Sequence, residues 1–404
     1  MDKKPTLKRV ITLPLLVFYG AGTILGAGIY ALIGKITALS GVYAPFSFLI
    51  SACIAAFVAF TYAELSSRYP KSAGEAIYVN QAFSKTWLAA LVGWGIVLTG
   101  IVSSAVMARA FSGYLQEFIA IPSLLAIILF VFVISSVAII GISLSIHLVT
   151  LITLIEISGI ILVLYVCREQ LLAIPDSWQI LIPPFSWSIW KNIIFGAFIA
   201  FYAFIGFEDM VNVAEEVVEP EKNLPLAIIL ALLVSTVFYI LVSLAAVLSI
   251  PIQDLANHKA PFVLIIQENS NIPVAIISLI SLIAILNGAL VQVVMGSRVL
   301  FGMAEKGMAP KPFGIIYAKT RTPVIATLFF AVILIVMALW FPIMVLAKIT
   351  SFIILLIFAL ISLSLCIIKI KNNSHTQQRH LNIPVVIPAL SFVFCLGFIL
   401  LQFL

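Results

Sequence analysis

Charge is scarce in this sequence. Only 9% of its 404 residues are Asp, Glu, Lys or Arg, 63% are hydrophobic, and the mean hydropathy is +1.23. A soluble domain carries about 45–50% apolar and about 25% charged residues. So few charges cannot clothe a water-soluble globule, and a soluble protein is excluded. Cysteine is equally sparse: Cys53, Cys167, Cys366 and Cys395 sit in or beside apolar runs without paired or metal-type spacing. That excludes a disulfide framework and leaves packing roles. His147, His258, His375 and His380 share no ligand spacing, so no metal site is expected. No nucleophile with a nearby base and no clustered metal set appears, which argues against an enzyme. Missing too is any series of roughly ten-residue segments alternating apolar and polar side chains, which rejects a membrane β-barrel.

What is present is a succession of long apolar runs. In a bilayer every backbone N–H and C=O must be paired within the protein, so such runs form helices. At about twenty residues per crossing, the sequence predicts spans at Leu13–Ile33, Val42–Leu65, Leu88–Leu115, Ser123–Ile142, Leu148–Val166, Ile193–Val213, Leu226–Leu248, Ile272–Phe301, Val324–Trp340, Met344–Ile368 and Val385–Leu404. The expected architecture is an all-α polytopic membrane protein of eleven spans in one domain, with short loops. The first run is too long for a signal-peptide core and no small-residue cleavage site closes it, so it is expected to be retained.

An odd number of spans puts the termini on opposite sides. One set of loops holds Lys3, Lys4, Lys8, Arg9, Arg68, Lys71, Lys85, Lys222, Lys306, Lys311, Lys319, Arg321, Lys369, Lys371 and Arg379; the other holds Arg168, Lys191 and Lys259. The basic side is cytoplasmic by the positive-inside rule, which predicts a cytoplasmic N-terminus and an external C-terminus, in the manner of a bacterial inner-membrane protein. The net charge of +6 is thus topological, and its neighbour is anionic lipid rather than nucleic acid.

Two runs carry interruptions. Tyr19 to Tyr30 holds four glycines, Gly20, Gly22, Gly26 and Gly28. Taken alone they read equally well as close helix packing through small residues. In the sixth run, Phe201 to Asp209, a glycine and two acids stand inside apolar sequence. Paired interruptions in matching places of two halves are the mark of unwound helix midpoints, whose freed N–H groups receive a carboxylate and whose freed carbonyls receive a cation or ammonium. Gly26 and Gly206 each fall in the first helix of a five-helix set, over 13–166 and 193–368, and an odd set makes the second inverted, followed by an extra helix over 385–404. The repeat rests on topology and the two breaks; the halves share no obvious sequence identity.

Several motifs occur in order over most of the chain: Gly-Ala-Gly-Ile-Tyr at Gly26–Tyr30, Tyr-Ala-Glu-Leu-Ser-Ser-Arg-Tyr-Pro-Lys-Ser-Ala-Gly-Glu at Tyr62–Glu75, Phe-Ile-Gly-Phe-Glu at Phe204–Glu208, Ala-Glu-Glu-Val-Val-Glu-Pro-Glu-Lys-Asn-Leu-Pro at Ala214–Pro225, and Ser-Arg-Val-Leu-Phe-Gly-Met-Ala-Glu-Lys-Gly at Ser297–Gly307. In these the chain resembles the amino acid, polyamine and organocation transporter superfamily. The resemblance implies a five-plus-five inverted-repeat fold of the leucine-transporter type with discontinuous helices 1 and 6, alternating access around a midplane site, and an amino acid as substrate. Many relatives have twelve spans, so a count of eleven implies that the last is absent.

By that resemblance, the N–H groups at Thr23, Gly26, Ala27 and Gly28 hold the substrate carboxylate, Ile205 and Gly206 offer carbonyls to its amino group, and Tyr202 closes over it. The plain alternative for Tyr202 is a packed aromatic. Glu208, directly after the break, either couples substrate to gate motion or ties the broken helix to a neighbour. Glu156 stands mid-way along an otherwise apolar fifth span, where several relatives carry a lysine. It is the candidate coupling site, as a proton carrier or as a ligand for sodium, with a neutral hydrogen-bonded acid as the alternative. No other cofactor is expected. Thr99, Ser103, Asn287, Gln292, Thr350 and Ser351 are polar cavity candidates, of which Asn287 is preferred because membrane Ser and Thr commonly bond their own helix. Lys35, Arg109 and Lys348 read as snorkelling side chains. Glu64, Arg68, Glu215, Glu216, Lys222 and Arg298 are candidates for a cytoplasmic gate, against a solvated rim.

The function expected is secondary transport of amino acids, neutral or small by preference, coupled to a proton or cation or exchanging. Cationic amino acids or polyamines are the alternative substrates. A membrane sensor that reuses the scaffold is the competing class; a channel lacks the continuous polar lining it needs.

Overall fold

The computed structural model describes residues 9, 11–71, 74–140, 146–317, 320, 322–371 and 381–403, with the backbone alone for 27, 146–149, 175–177, 212, 215 and 403. Among the described residues the chain is helical throughout, and pairing of the β type is confined to isolated bridges. The helices are α1 (Leu13–Ser40), α2 (Ala44–Arg68), α3 (Gly74–Phe83), α4 (Thr86–Gln116), α5 (Ser123–Ile140), α6 (Ile146–Val166), α7 (Arg168–Leu172), α8 (Ile174–Leu181) and α9 (Trp187–Phe201). Then come α10 (Pro220–Ser249), α11 (Ile252–Asn257), α12 (Pro261–Asn269), α13 (Val274–Glu305), α14 (Val324–Trp340), α15 (Ile343–Lys371) and α16 (Val386–Leu400). Prolines mark several starts: α1, α2, α10 and α12 each place one in their first two positions, where the missing N–H has no helical partner to lose.

Among the described residues seven helical stretches are long and apolar enough to cross a membrane. Shorter apolar helices cover Leu13–Gly26, Thr150–Val166, Val324–Trp340 and Val386–Leu400. Each predicted run overlaps one of these apolar helices, seven of them long enough to cross by themselves. The connections hold more structure than the sequence predicts, because α3, α7, α8, α11 and α12 lie between the long helices. The α-helical part of the sixth run also begins earlier and ends sooner than predicted, at Trp187 and Phe201, and the chain continues through Phe207–Glu216 as a tighter helix of three residues per turn.

Packing follows from which faces the small residues leave open. α1 lies against α6, α9, α10 and α13, α2 against α9 and α10, and α4 against α13 and α15. Large apolar side chains on α5, α14 and α16, such as Phe132, Val332 and Val393, remain exposed, as expected of surfaces that meet lipid. Aromatic rings fill the spaces between several of these helices: Tyr62 meets Phe207 and Phe358 edge to face, and Phe201 meets Phe358 and Phe398.

One charged cluster joins elements far apart in sequence. Glu64, fully buried on α2, accepts from Arg68 one turn on and from Lys369 Nζ of α15 at 2.7 Å, while its second oxygen accepts the Ile383 N–H at 2.9 Å. Lys369 also donates to Asn382 Oδ1 and the Ile383 carbonyl, and the Ser67 hydroxyl accepts the Leu381 N–H. The approach to α16 is thus clamped to α2 and α15. Removing one member of such a buried pair leaves the other uncompensated, at about 3–5 kcal/mol. Glu64→Ala should therefore lower the thermal unfolding midpoint in detergent more than the double change Glu64→Gln with Lys369→Met; unfolding curves for both variants check this.

Candidate functional site

Helix α1 loses its regular geometry at Gly26, where φ is −32° and ψ −110°. The sixth helix is broken more completely. After Phe201 a single tight turn spans Tyr202–Phe204, Ile205 is extended, and Gly206 takes φ +132° before the Phe207–Glu216 helix starts. That positive φ is open to glycine and strained for any other residue. A break leaves N–H groups after it and carbonyls before it without helical partners, and in an apolar interior each must be met.

The two breaks meet each other. A Cβ on Gly206 would stand 2.7 Å from the Thr23 carbonyl oxygen, and one on Gly28 would stand 2.6 Å from Ala203 Cα, so both glycines let backbone touch backbone. Thr23 Oγ1 reaches the Gly206 carbonyl at 3.1 Å and the Gly20 carbonyl at 2.9 Å. Tyr239 of α10 lies between the two chains. Its hydroxyl is within reach of the Ile24 carbonyl and lies 2.7 Å from the Ala203 carbonyl, so one phenol serves an acceptor from each break. On the far side, Glu208 Oε2 in the first turn of the Phe207–Glu216 helix reaches back to accept the Gly206 N–H at 2.8 Å.

A cavity opens at this junction, lined by Gly22, Thr23, Ile24 and Gly28 of α1, Ser103 and Met107 of α4, Tyr202, Ile205 and Asp209 of the sixth segment, and Asn287, Gly288, Val291 and Gln292 of α13. Of the residues singled out from sequence, Thr23, Gly28, Ser103, Tyr202, Ile205, Asn287 and Gln292 line it. Tyr202 is held across the cavity, its hydroxyl 2.9 Å from Ser103 Oγ and donating to the Ser103 carbonyl at 3.1 Å. Asn287 Nδ2 donates to Glu156 Oε1 at 3.3 Å, which links the lining to the buried carboxyl of α6. Glu156 Oε2 and Asn287 Oδ1 find no partner, and Tyr30 donates to the Glu156 carbonyl at 2.7 Å. α6 approaches closely because Gly22 leaves no room for a Cβ beside Thr153. Gly26 and the backbone of Ala27 belong to the same turn as the lining; the side chain of Ala27 is outside the described residues.

Other candidates are placed differently. Glu64 binds Arg68 and Lys369 instead of either gate candidate joining Arg298, and the Glu215 side chain is outside the described residues. Lys222 pairs with exposed Glu219. Thr350 bonds back to the Leu346 carbonyl, and Thr99 to that of Ile96, as hydroxyls in membrane helices commonly do. Lys35 and Arg109 are not free snorkelling groups: they donate to the carbonyls of Ala256 and Leu339.

Sequence reasoning missed Tyr239, Tyr62 and Glu75. The available signal for Tyr239 was a hydroxyl inside the otherwise apolar Leu226–Leu248 run, which needs a partner. Glu75, on the short helix α3, lies in the cavity region beside Glu208, and burial with that neighbour pushes its carboxyl up to about 8. Because its folded value lies above its unfolded one, Glu75 favours the fold at low pH, and that contribution is lost as pH rises from about 4.5 to about 8. Glu75→Gln should flatten the decline in the unfolding midpoint over this interval. Tyr239→Phe keeps the ring contacts with Phe48 and Phe204 but strands two buried carbonyls, at about 1–3 kcal/mol; its unfolding midpoint and its substrate affinity should both fall, as detergent melts with and without substrate would record.

The sequence has relatives. The chain is 28% identical to a branched-chain amino acid permease of Bacillus subtilis, over 98% of this chain and 88% of that protein. It is likewise 28% identical to a methylthioribose transporter of Bacillus subtilis over 98% of this chain and 89% of that one. A vacuolar cationic amino acid transporter of Arabidopsis thaliana is 28% identical over 90% of this chain, which spans 60% of that protein's length. These relatives are permeases and transporters rather than enzymes, and the apolar helices above are those of an integral membrane protein. The profile of the amino acid permease family matches residues 16–404, and the chain belongs to that family.

Proposed function

We propose that this chain is a secondary active transporter of amino acids that works by alternating access around the junction of its two breaks. One observation carries the reading: interrupted segments of α1 and the sixth helix touch at Thr23 and Gly206 and border a single cavity. Freed N–H groups at Thr23 and Gly26 to Gly28 hold the substrate carboxylate, the Ile205 and Gly206 carbonyls take its ammonium, and Tyr202 and Asn287 bound the side chain. Backbone groups recognise the part common to all amino acids. The relatives' names span branched-chain and cationic amino acids, in keeping with such a site.

The architecture is read as two inverted five-helix repeats, 13–166 and 193–368, with an eleventh span after them. Three counterpart pairs pack directly, α1 on α9, α2 on α10 and α4 on α13, which is in keeping with such a relation between halves. The basic loops place the N-terminus in the cytoplasm and the C-terminus outside a bacterial plasma membrane. Coupling runs through Glu156, the buried acid that bonds Asn287 in the cavity wall, carrying a proton or holding sodium. Glu64 and Arg68 act in the clamp on α16, while Arg298 and Glu215 remain the gate candidates.

Uptake into proteoliposomes against a panel of amino acids, with pH and sodium gradients imposed separately, tests this. Wild type should accumulate substrate under one gradient; Glu156→Gln should lose that dependence while still equilibrating substrate. Full retention of coupling in the variant would remove Glu156 from the mechanism, and no uptake of any amino acid would remove the transport reading.

A further inference from the structure

Beneath the junction a second cavity adjoins the first, and Ser103, Ile205, Asp209 and Gln292 line both. Its walls are of two kinds. Ile96 of α4, Met295 of α13, and Ile354 and Ile357 of α15 make an aliphatic sleeve. Glu75, Glu208 and Asp209 make an acidic one, and each is at least nine-tenths buried. Gly206 donates to Glu208 and Gln292 Nε2 to Asp209 at 3.3 Å, but among the described residues no lysine, arginine or histidine forms an ion pair with any of the three.

Carboxyl groups collected in an interior without a countercharge are costly, and they persist either by keeping their protons, as Glu75 with its raised value does at neutral pH, or where something else supplies the charge. A second observation points the same way. Tyr62 lines this cavity, and its wholly buried hydroxyl has no hydrogen-bond partner, although it lies within the electrostatic reach of Glu75, Glu208 and Asp209. Buried phenols ordinarily find one. The cavity therefore offers spare acceptors, a spare hydroxyl and aliphatic walls, and lacks a positive charge. Among the described residues no group of three or more His, Cys, Asp and Glu is disposed to hold a metal ion, so the acids are spread too widely for an inorganic cation to bind all three. As closed here the cavity has room for about one water, so its walls must part to admit a side chain; an ammonium or guanidinium on an aliphatic stem then suits both walls at once.

We propose that this cavity is the side-chain subsite for a basic amino acid, with the stem along the aliphatic sleeve and the cationic end among Glu75, Glu208, Asp209 and Tyr62. The assignment rests on the reading that the α-carboxylate and α-amino group are held at the breaks. It favours cationic over neutral amino acids as the substrate class, and it makes Asp209, shared by both cavities, the residue that the cationic group passes first.

The deciding comparison is L-lysine against L-norleucine, which has the same stem without the terminal amine. Full-length protein in proteoliposomes is tested for uptake of each and for competition between them, in sodium and in choline buffers. Lysine should be preferred by about tenfold or more, and Glu75→Gln should reduce the lysine-to-norleucine ratio by about tenfold. Equal or better transport of norleucine would overturn the subsite while leaving amino acid transport standing. Occupancy by sodium alone, seen as sodium-dependent stabilisation with no lysine preference, would also overturn it. Transport of neither amino acid nor any other would bring down the parent reading and this one with it. Should Glu75→Gln fail to fold, the wild-type substrate pair decides alone.

Discussion

An unpaired peptide group inside hydrocarbon costs several kcal/mol, and this chain opens two helices in its interior. The rest of the centre follows from how that cost is met. Each break is sealed by the other, through the contact of Gly206 with Thr23 and of Gly28 with Ala203, and by Tyr239, whose one hydroxyl attends to a carbonyl from either side. Glu208 closes the remaining N–H of Gly206. The junction so formed borders a cavity lined by residues of α1, α4, the sixth segment and α13.

That constraint also explains the distribution of small residues. Glycine at positions 22, 28 and 206 in each case admits a neighbour: Thr153 at Gly22, Ala203 at Gly28, Thr23 at Gly206. The packing reading and the ligand reading of the glycine-rich segment turn out to be compatible, because close approach of backbones is what builds the site.

The apolar runs and the two interruptions were legible in the sequence because both are one-dimensional signals: length, hydropathy, and glycine or acid where neither is comfortable. Asn287 and Glu156, chosen separately as costly polar residues, prove to be bonded to each other. What could not be read was partnership across the bundle. Glu64 and Arg68 looked like rim charges one turn apart, and only the fold brings Lys369 and the 381–383 segment to them. Glu75 stands in a connection that hydropathy treats as a loop, so nothing local announces that α3 tucks it beside Glu208. The five additional short helices were hidden for the same reason, since each is shorter than the window that detects a span.

Ahead of α1 the chain makes one more pairing. Ile11 runs parallel to Val217, its N–H donating to the Glu216 carbonyl at 3.0 Å and its carbonyl accepting the Val218 N–H at 2.9 Å. The leading half of α1 and the Phe207–Glu216 helix are consequently pinned together at two points, once at the glycine junction and once at their outer ends. Two rods fastened in this way form a single lever. Neither can tilt without shearing a backbone ladder or carrying its companion, so whatever opens one side of the central chamber must displace both.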